Sequence, residues 1–327
     1  MIVLGIESSC DETGVAIVKN RKKILSSVVA SSLKMHSQHG GVIPEIASRM
    51  QLESIARVYA QAIEIAKIKP EQIDLVSVTS GPGLPGSLFV GISFAKALAL
   101  ALGKPILGIN HIHSHVYANF LCHDNIKMPC VALIVSGGHT ALFYIKDFSK
   151  IEILGQTRDD ACGEAFDKVA KIMGMGYPGG PLIEKLAKGG DKNKIKFACS
   201  GTDSELDFSF SGIKTAVLYY LKGKKLGIKL KKDLAASFQE SALNVLIKKS
   251  LVACKQKSVK SFLIGGGVVA NSCLRQKFTD ATKNKNISCY FPTVNLCLDN
   301  AAMVAGLGGY LYKKGLRSNL NLNMEYS

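Results

Sequence analysis

Two stretches of the chain repeat one pattern, and this repeat limits the fold more than any other feature. An apolar run, a short polar turn and two further strand-like runs occupy residues 2–31, and the same order returns in residues 130–156. The copies align at a constant offset of 127 residues, which places Ser9 on Ser136 and Thr13 on Thr140. Self-similarity at so long a period indicates two related halves rather than a short-repeat solenoid. The alternative is a chance match between two ordinary hairpins.

Helical periodicity fills the gaps between these strand candidates. It predicts helices over residues 45–68, 87–102, 163–174 and 233–257. Residues 262–271 are typical of a buried strand, a glycine turn and a helix start, with Asn271 as a possible N-cap. Both halves therefore have an α/β pattern, and 327 residues suffice for about two domains that each bury a core.

The composition is that of a globular chain with a strong basic excess. The formal net charge is +16, but only six of the 41 basic residues are arginine. Lysines occur along the chain, as in residues 19–23 and 221–232, and such lysines fit either a solvated surface or a polyanionic partner. Arginine would indicate phosphate more sharply, because its planar fork binds phosphate through two hydrogen bonds.

The cysteine pattern and the hydropathy bear on the compartment. Nine cysteines occur with no CxxC pair, and their odd number favours reduced cytosolic thiols over a disulfide framework. The N-terminus turns polar too early for a signal peptide. No stretch offers about 20 uninterrupted apolar residues, so we expect no membrane span.

Three histidines in five positions form the first candidate site. On a helix His111 and His115 share one face, whereas His113 lies on another. Two imidazoles at this spacing are a known metal pair, to which a distant carboxylate can add a third ligand. Local hydrogen bonding of buried histidines is the alternative. The pattern is not the zinc-protease signature, because Ile112 stands where that motif needs glutamate.

Acidic and glycine-rich turns supply further candidates. Glu7, Asp11 and Glu12 lie at or just after the end of the first strand. Acidic groups there could orient a ligand or take a proton, or could simply cap a turn. The amides of Gly137 and Gly138 could hold a phosphate, or these residues could form a plain tight turn. Asp299 alone fits a helix cap better than a ligand.

Ten ordered motifs together resemble one family. They run from GIESSCDETG at residues 5–14 through HGGVIPEIASR, SGPGLPGSLFVG, NHIHSH, VSGGHT, GEAFDKVA, YPGGP, DFSFSGIKT and GGGVVAN to LDNAAM at residues 298–303. In this order they are similar to the TsaD family of tRNA threonylcarbamoyltransferases, once labelled glycoproteases. The resemblance spans nearly the whole chain.

The resemblance implies a fold and a reaction. The fold would be the duplicated two-lobe actin/Hsp70-like fold with a central cleft, with residues 1–128 and 299–327 in one lobe and residues 129–298 in the other. The reaction would transfer a threonylcarbamoyl group from threonylcarbamoyl-AMP to the N(6) amine of the adenosine beside the anticodon of ANN-decoding tRNAs, with release of AMP.

The resemblance also implies site residues. One divalent metal per subunit, iron in first place and zinc as the alternative, would bind His111, His115 and Asp299. The adenylate contacts fall on Ile134, Val135, Ser136, Gly137, Gly138, Asp167, Gly180 and Asn271. Glu184 stands where many members have an aspartate that reaches the ribose, so its longer side chain makes that contact less direct.

Partners follow from the resemblance as well. Bacterial members act with a degenerate paralogue and a P-loop ATPase, and a separate synthase supplies the adenylate. The motif HGGVIPEIASR favours a bacterial or organellar chain, and the absence of a clear transit peptide favours the bacterial cytoplasm. The C-terminal NLNLNMEYS lacks the arginine- and proline-rich tail expected in many bacterial members.

Two other activities compete with this interpretation of the motifs. A small-molecule kinase of the actin-like superfamily would need productive ATP binding and a base aimed at a hydroxyl. A metal-dependent glycoprotease would need peptide cleavage that the metal ligands support. A non-catalytic paralogue is a further alternative, but such a chain is expected to lose His111, His115 and Asp299, all of which are present.

Overall fold

The computed structural model describes residues 1–198 and 201–325. Cys199 and the last two residues of the NLNLNMEYS tail lie outside this part. The eight cysteines within it form no disulfide with one another. The chain divides into two compact units, which are Met1–Asp124 with Pro292–Ser327, and Asn125–Phe291. The lobe boundaries expected from the resemblance stay a prediction.

The first unit is built on a mixed five-stranded sheet in the order β3-β2-β1-β4-β5. Its strands are Ile2–Glu7 (β1), Glu12–Lys19 (β2), Lys23–Ser31 (β3), Leu75–Gly81 (β4) and Ile106–Asn110 (β5). Its helices, with labels numbered along the whole chain, are Leu33–His39 (α1), Pro44–Ala66 (α2), Pro85–Leu102 (α3), His111–Cys122 (α4) and Ala301–Lys313 (α10).

The second unit is built on a sheet in the order β10-β9-β6-β7-β8. Its strands are Cys130–Val135 (β6), Thr140–Asp147 (β7), Lys150–Gln156 (β8), Ser261–Gly265 (β9) and Ser288–Tyr290 (β10). Its helices are Cys162–Ile172 (α5), Gly179–Ala187 (α6), Ser211–Leu221 (α7), Ile228–Gln256 (α8) and Ser272–Thr282 (α9).

The two sheets have the same strand order when β6 is set on β1. In each sheet the first three strands form an antiparallel meander, and two parallel strands follow on the other side of the first. A chance match between hairpins would not extend to the two later strands. The predicted duplication is therefore confirmed, and so is the α/β class.

The central strand β1 shows why residues 2–7 form a buried strand. Val3, Leu4 and Ile6 are fully buried, which fits a strand covered on both faces. Gly5 allows helix α10 to lie directly on β1, because a Cβ at this position would sit 2.2 Å from the carbonyl oxygen of Ala301. The close packing brings the segment just before α10 to the end of β1.

Parallel strands place their carboxyl ends at one edge of a sheet, which is where ligands bind in α/β folds. In the first unit β1 ends at Glu7, β4 ends at Gly81, and β5 ends at Asn110, directly before His111. In the second unit β6 ends at Val135 and β9 at Gly265. We call these the functional edges of the two sheets.

Helix α3 is the one helix of the described residues that is long and apolar enough to cross a membrane. Core helices of globular proteins often have the same length and composition. Here α3 packs on β4 and α2.

The C-terminal segment packs on the first sheet. The amide of Glu325 donates to the carbonyl of Ser80 at 2.8 Å, and Leu322 lies against the core of this unit. This tail therefore contributes to the fold of the first unit even without the arginines expected from the family resemblance.

Candidate functional site

The helical spacing predicted for the histidines is confirmed. Helix α4 begins at His111, and its N-cap Asn110 accepts a hydrogen bond from the amide of His113. The rings of His111 and His115 lie edge to face with centroids 4.6 Å apart, and both are buried. His113 lies on a different face, where burial lowers its pKa to about 4.

Asp299 completes a cluster with these two imidazoles. Its Oδ1 lies 3.0 Å from His115 Nε2 and 3.6 Å from His111 Nε2. One atom from each of the three residues falls within 4.8 Å of the others. We call these residues the His–His–Asp cluster. Because Asn300 caps helix α10 through the amide of Met303, the helix start fixes Asp299 in place.

Glu7 was one of the acidic candidates in the sequence, but its pairing with His111 was not predicted. It is fully buried, and His111 Nδ1 donates to its Oε2 at 3.0 Å. Thr79 Oγ1 and the amide of Ser9 also donate to this carboxylate, each at 2.7 Å. A carboxylate on the far nitrogen of an imidazole fixes the ring orientation and leaves Nε2 available as a ligand atom.

The charge of His111 depends on the neighbouring carboxylates of Glu7 and Asp299. Burial disfavours the cation of His111, but the negative charges of Glu7 and Asp299 outweigh burial and raise its pKa to about 9. Burial likewise opposes ionisation of Glu7, yet the His111 cation and its hydrogen bond hold the pKa of Glu7 below its usual value. In the metal-free protein the two residues thus form a buried ion pair.

The donor chemistry of the cluster fits a transition metal. Two neutral imidazole nitrogens and one carboxylate are the ligand set of both iron and zinc sites with open positions. The atoms converge without a change of backbone, and His111 already has the carboxylate partner typical of metal-bound histidine. The three residues therefore fit the group that the motifs imply.

Asp11 ends the turn between β1 and β2, and Glu12 is the first residue of β2, at the same functional edge. Gln51 holds this turn, since its Nε2 donates to the carbonyl oxygens of Cys10 at 2.9 Å and Glu12 at 3.0 Å. Burial, with the neighbouring Asp11 charge next in size, raises the pKa of Glu12 to about 9, and Asp299 adds to this effect. Burial and the neighbouring carboxylates therefore favour the neutral form of Glu12.

The turn after β6 occupies the equivalent place in the second unit. Ile134 and Val135 are buried at the end of the strand. The turn closes through Ser136, whose amide donates to the carbonyl of His139 and whose Oγ accepts from the amide of His139. Gly137 and Gly138 are exposed, and a Cβ at either position would meet open space. Within the described residues, their amides donate to no protein acceptor.

Helix α5 packs against this turn. The amide of Gly163 donates to the carbonyl of Ser136 at 3.1 Å, and a Cβ on Gly163 would sit 2.5 Å from that oxygen. One helical turn later, the Asp167 carboxylate accepts from the amide of Gly179 at 2.7 Å, at the start of α6. Asp167 therefore lies beside Gly180, another predicted contact.

The remaining predicted contacts lie on α6 and α9. Glu184 shares a face of α6 with Gly180 and accepts from the amide and hydroxyl of Ser272 at 2.9 and 2.5 Å. Asn271 caps α9 through the amide of Leu274 and donates to Gln239 at 2.9 Å. All the predicted adenylate contacts thus lie on adjoining elements of the second unit, whereas the cluster and the acidic pair belong to the first.

A dense polar network in the second unit was not predicted. Asp159 accepts from Ser209 Oγ, from the amide of Phe210 and from Ser211, which joins the loop after β8 to the start of α7. Asp160 pairs with Lys168 and Lys214. The pair of adjacent aspartates is the sign of this network in the sequence. It does not predict the network, because most of the partners lie about fifty residues away.

Proteins similar to this chain indicate one family. The family model TsaD, tRNA N6-adenosine threonylcarbamoyltransferase, matches residues 23–306. A protein of that name from Thermosipho africanus is 52% identical, with 98% of each chain covered. Another from Clostridium botulinum is 48% identical, over 98% of this chain and 95% of its own.

Solved structures show the same fold at low identity. Full-length HypF in the phosphate- and nucleotide-bound form has a TM-score of 0.63 at 13% identity, over 96% of this chain and 46% of its own. Component A of (R)-2-hydroxyglutaryl-CoA dehydratase from Acidaminococcus fermentans has a TM-score of 0.57 at 16% identity, over 96% and 98%. With the duplicated sheets, they confirm the two-lobe actin-like fold. From the family match and the identities, the chain belongs to the TsaD family of tRNA N6-adenosine threonylcarbamoyltransferases.

Proposed function

We propose that this enzyme transfers the threonylcarbamoyl group of threonylcarbamoyl-AMP to the N(6) amine of the adenosine beside the anticodon of ANN-decoding tRNAs. The bond formed joins N(6) to the carbamoyl carbon. The bond broken joins that carbon to the phosphate oxygen of AMP, which leaves, and the amine loses one proton. The observation that carries the proposal is the convergence of His111, His115 and Asp299 in a chain of this family.

The amine is a weak nucleophile because its lone pair is delocalised into the adenine ring, whereas the mixed anhydride is already activated. The enzyme must therefore contribute orientation and charge stabilisation. Holding the two reactants in a reactive geometry lowers a barrier by about 7–11 kcal/mol at best. A divalent metal held by His111, His115 and Asp299 would supply Lewis-acid stabilisation of negative charge.

The second unit supplies the nucleotide contacts in this proposal. The open amides of Gly137 and Gly138 suit the phosphate, since adjacent backbone N–H groups in a turn bind anions. Asp167, Gly180, Glu184 and Asn271 would surround the nucleoside. Asp167 and Asn271 already bond to the protein, so each would have to share its polar atoms with the ligand.

The acidic pair of the first unit would handle the proton. Asp11 or Glu12 would accept the proton of the amine, and burial together with the neighbouring Asp11 charge raises the pKa of Glu12 to about 9.

Partners and compartment are also part of the proposal. A degenerate paralogue and a P-loop ATPase would act with this chain in a bacterial cytoplasm, and a separate synthase would supply the adenylate. Iron is the favoured metal and zinc the alternative. The kinase and the glycoprotease remain competing activities, and a transfer assay distinguishes them.

The experiment follows labelled threonine onto purified tRNA, with the synthase, ATP and bicarbonate, and with or without the two partner proteins. We expect label in a modified adenosine, with no label when guanosine replaces the adenosine beside the anticodon. Label that never reaches tRNA under any partner combination would refute the proposal. ATP-dependent phosphorylation of a small molecule without tRNA would indicate the kinase, and metal-dependent peptide cleavage the glycoprotease.

A further inference from the structure

Two lysine-rich segments of the second unit carry most of the basic excess of the chain. Residues 188–196 and 222–232 contain ten lysines and one aspartate, so twenty residues contribute +9 to a formal net charge of +16. The lysines are therefore concentrated, although the sequence suggested a more even spread. Most of them are exposed, and Lys192 is the one whose ion pair is seen in the described residues, with Glu240 at 3.9 Å.

The fold joins these two segments side by side. The amide of Asp191 donates to Asp233 at 2.9 Å, and the amide of Ile195 donates to Ser237 Oγ at 3.1 Å, both at the start of α8. Gly189 lies against the side chain of Lys232. We call residues 188–196 and 222–232 the lysine surface.

Like charges so close together repel each other and lower the stability of the fold. Their concentration therefore indicates a role in binding rather than in folding. Asp191 within the surface, with Asp233 and Glu240 at its border, cannot neutralise ten cations, and Asp191 is already engaged with the amide of Asn193. An ordinary solvated surface mixes both signs. A one-sign patch of this density fits a polyanion, which releases its counterions when it binds.

We propose that the lysine surface binds the phosphate backbone of the substrate tRNA. This inference rests on the proposed function only in taking tRNA as the substrate. The surface holds lysine and no arginine, so it offers point charges rather than the planar forks that read base edges. Such contacts position a folded RNA without reading its sequence. The exposed phenol of Tyr219, at the edge of this surface, offers a stacking face.

The test measures tRNA affinity of the full chain against KCl concentration. The variant carries Lys194→Gln, Lys222→Gln and Lys225→Gln, which are exposed positions from both segments. The control carries Lys260→Gln, Lys283→Gln and Lys285→Gln, which are exposed lysines elsewhere in the same unit and remove the same charge. Thermal unfolding of each variant excludes a folding defect.

We expect the variant to bind tRNA at least about tenfold more weakly at low salt, with a salt slope smaller by about 2–3, because each phosphate contact contributes about 0.7–0.9 to that slope. The control should bind tRNA more tightly than the variant and keep nearly the slope of the unchanged protein. Equal slopes and affinities for the variant and the control would overturn the inference. Salt-independent tRNA binding by the unchanged protein would overturn it as well. So would a variant that loses binding to anionic lipid vesicles while it still binds tRNA as the unchanged protein does.

Failure of the proposed function has a different signature. If tRNA binds through this surface but labelled threonine never reaches it, the transfer proposal fails and the surface stands. If transfer occurs and the triple variant matches the control in tRNA affinity and in transfer at limiting tRNA, the surface assignment fails and the function stands.

Discussion

The turn after β1 and the turn after β6 occupy the same place in two sheets of the same strand order, but they differ in chemistry. The first is lined by acidic groups, among them the buried Glu7 and the partly buried Glu12, and lies at the edge that carries His111. The second offers exposed glycines whose amides meet no acceptor in the described part of the chain. A carboxylate environment suits a cation, and open amides suit an anion.

The comparison shows that a duplicated fold carries different chemistry at the same edge of each copy. Parallel strands bring their carboxyl ends to one edge in both copies, which is where α/β folds bind ligands. The side chains that follow the strand ends differ between the copies. The two units thus share a strand order but differ in the chemistry of the turn after the first strand.

The largest effect is expected from removal of a ligand in the His–His–Asp cluster. His115→Ala or Asp299→Ala should abolish both metal binding and transfer, since the remaining two donors cannot hold the ion. Metal content by mass spectrometry and transfer of labelled threonine measure the two losses. His113→Ala is the matched control on the same helix and should retain both. Full metal content in either ligand variant would show that these residues do not bind the metal.

Next in size is the dependence of metal affinity on pH. The pKa of His111 is raised to about 9, so in the metal-free protein the imidazole is protonated below that pH and the proton must leave before a metal binds. We expect the apparent affinity to fall about tenfold per pH unit, or about 100-fold from pH 8 to pH 6. Zinc titration across this range tests it, and an affinity independent of pH would contradict it.

The loss of the carboxylate behind His111 should have a smaller effect. Glu7→Gln keeps the size of the side chain but removes the charge that orients the imidazole, and we expect metal affinity at pH 8 to fall about 10–100-fold. The same change should flatten the pH dependence, because the Glu7 charge helps to raise the pKa of His111. Thr79→Val removes one hydrogen bond to Glu7 and leaves the carboxylate, so it should weaken metal binding less. Equal affinity in Glu7→Gln and the unchanged protein would exclude this role.

The turn of the second unit can be tested by adding a side chain where there is space. Gly137→Val should weaken AMP binding by about tenfold, or 1.4 kcal/mol, without lowering the melting temperature, because its Cβ meets open space. Gly163→Ala is the contrasting change, because its Cβ would meet the carbonyl of Ser136 at 2.5 Å. It should destabilise the fold by about 1–3 kcal/mol. Unchanged AMP affinity in Gly137→Val would place the nucleotide elsewhere.

Much of the fold could be predicted from local pattern. The strands predicted within residues 2–31 and 130–156 form there as β1–β3 and β6–β8, because short apolar runs end sharply in polar turns. Strands β4, β5 and β10 were not predicted. Helix α8 begins at Ile228, whereas the prediction began at Asp233. The prediction missed the first turn because that turn is lysine-rich and lacks an apolar stripe. The His111–His115 pair was predictable because about four residues make one helical turn.

The rest of the site depends on contacts that no local pattern encodes. Glu7 and His111 lie 104 residues apart and meet because β1, β4 and β5 are parallel neighbours. The lysine surface likewise exists because residues 191–195 bond to the start of α8. Asp299 became a ligand candidate through the resemblance and not through its own surroundings in the sequence, which favoured a helix cap.

The central claim is that the first unit holds the metal and the second unit holds the nucleotide. It is tested most directly by titrating zinc and AMP separately into His115→Ala and Gly137→Val. The account predicts that His115→Ala loses zinc and keeps its AMP affinity, and that Gly137→Val loses AMP affinity and keeps zinc. If each variant lost both ligands together, with its fold intact, or lost neither, the account would be contradicted.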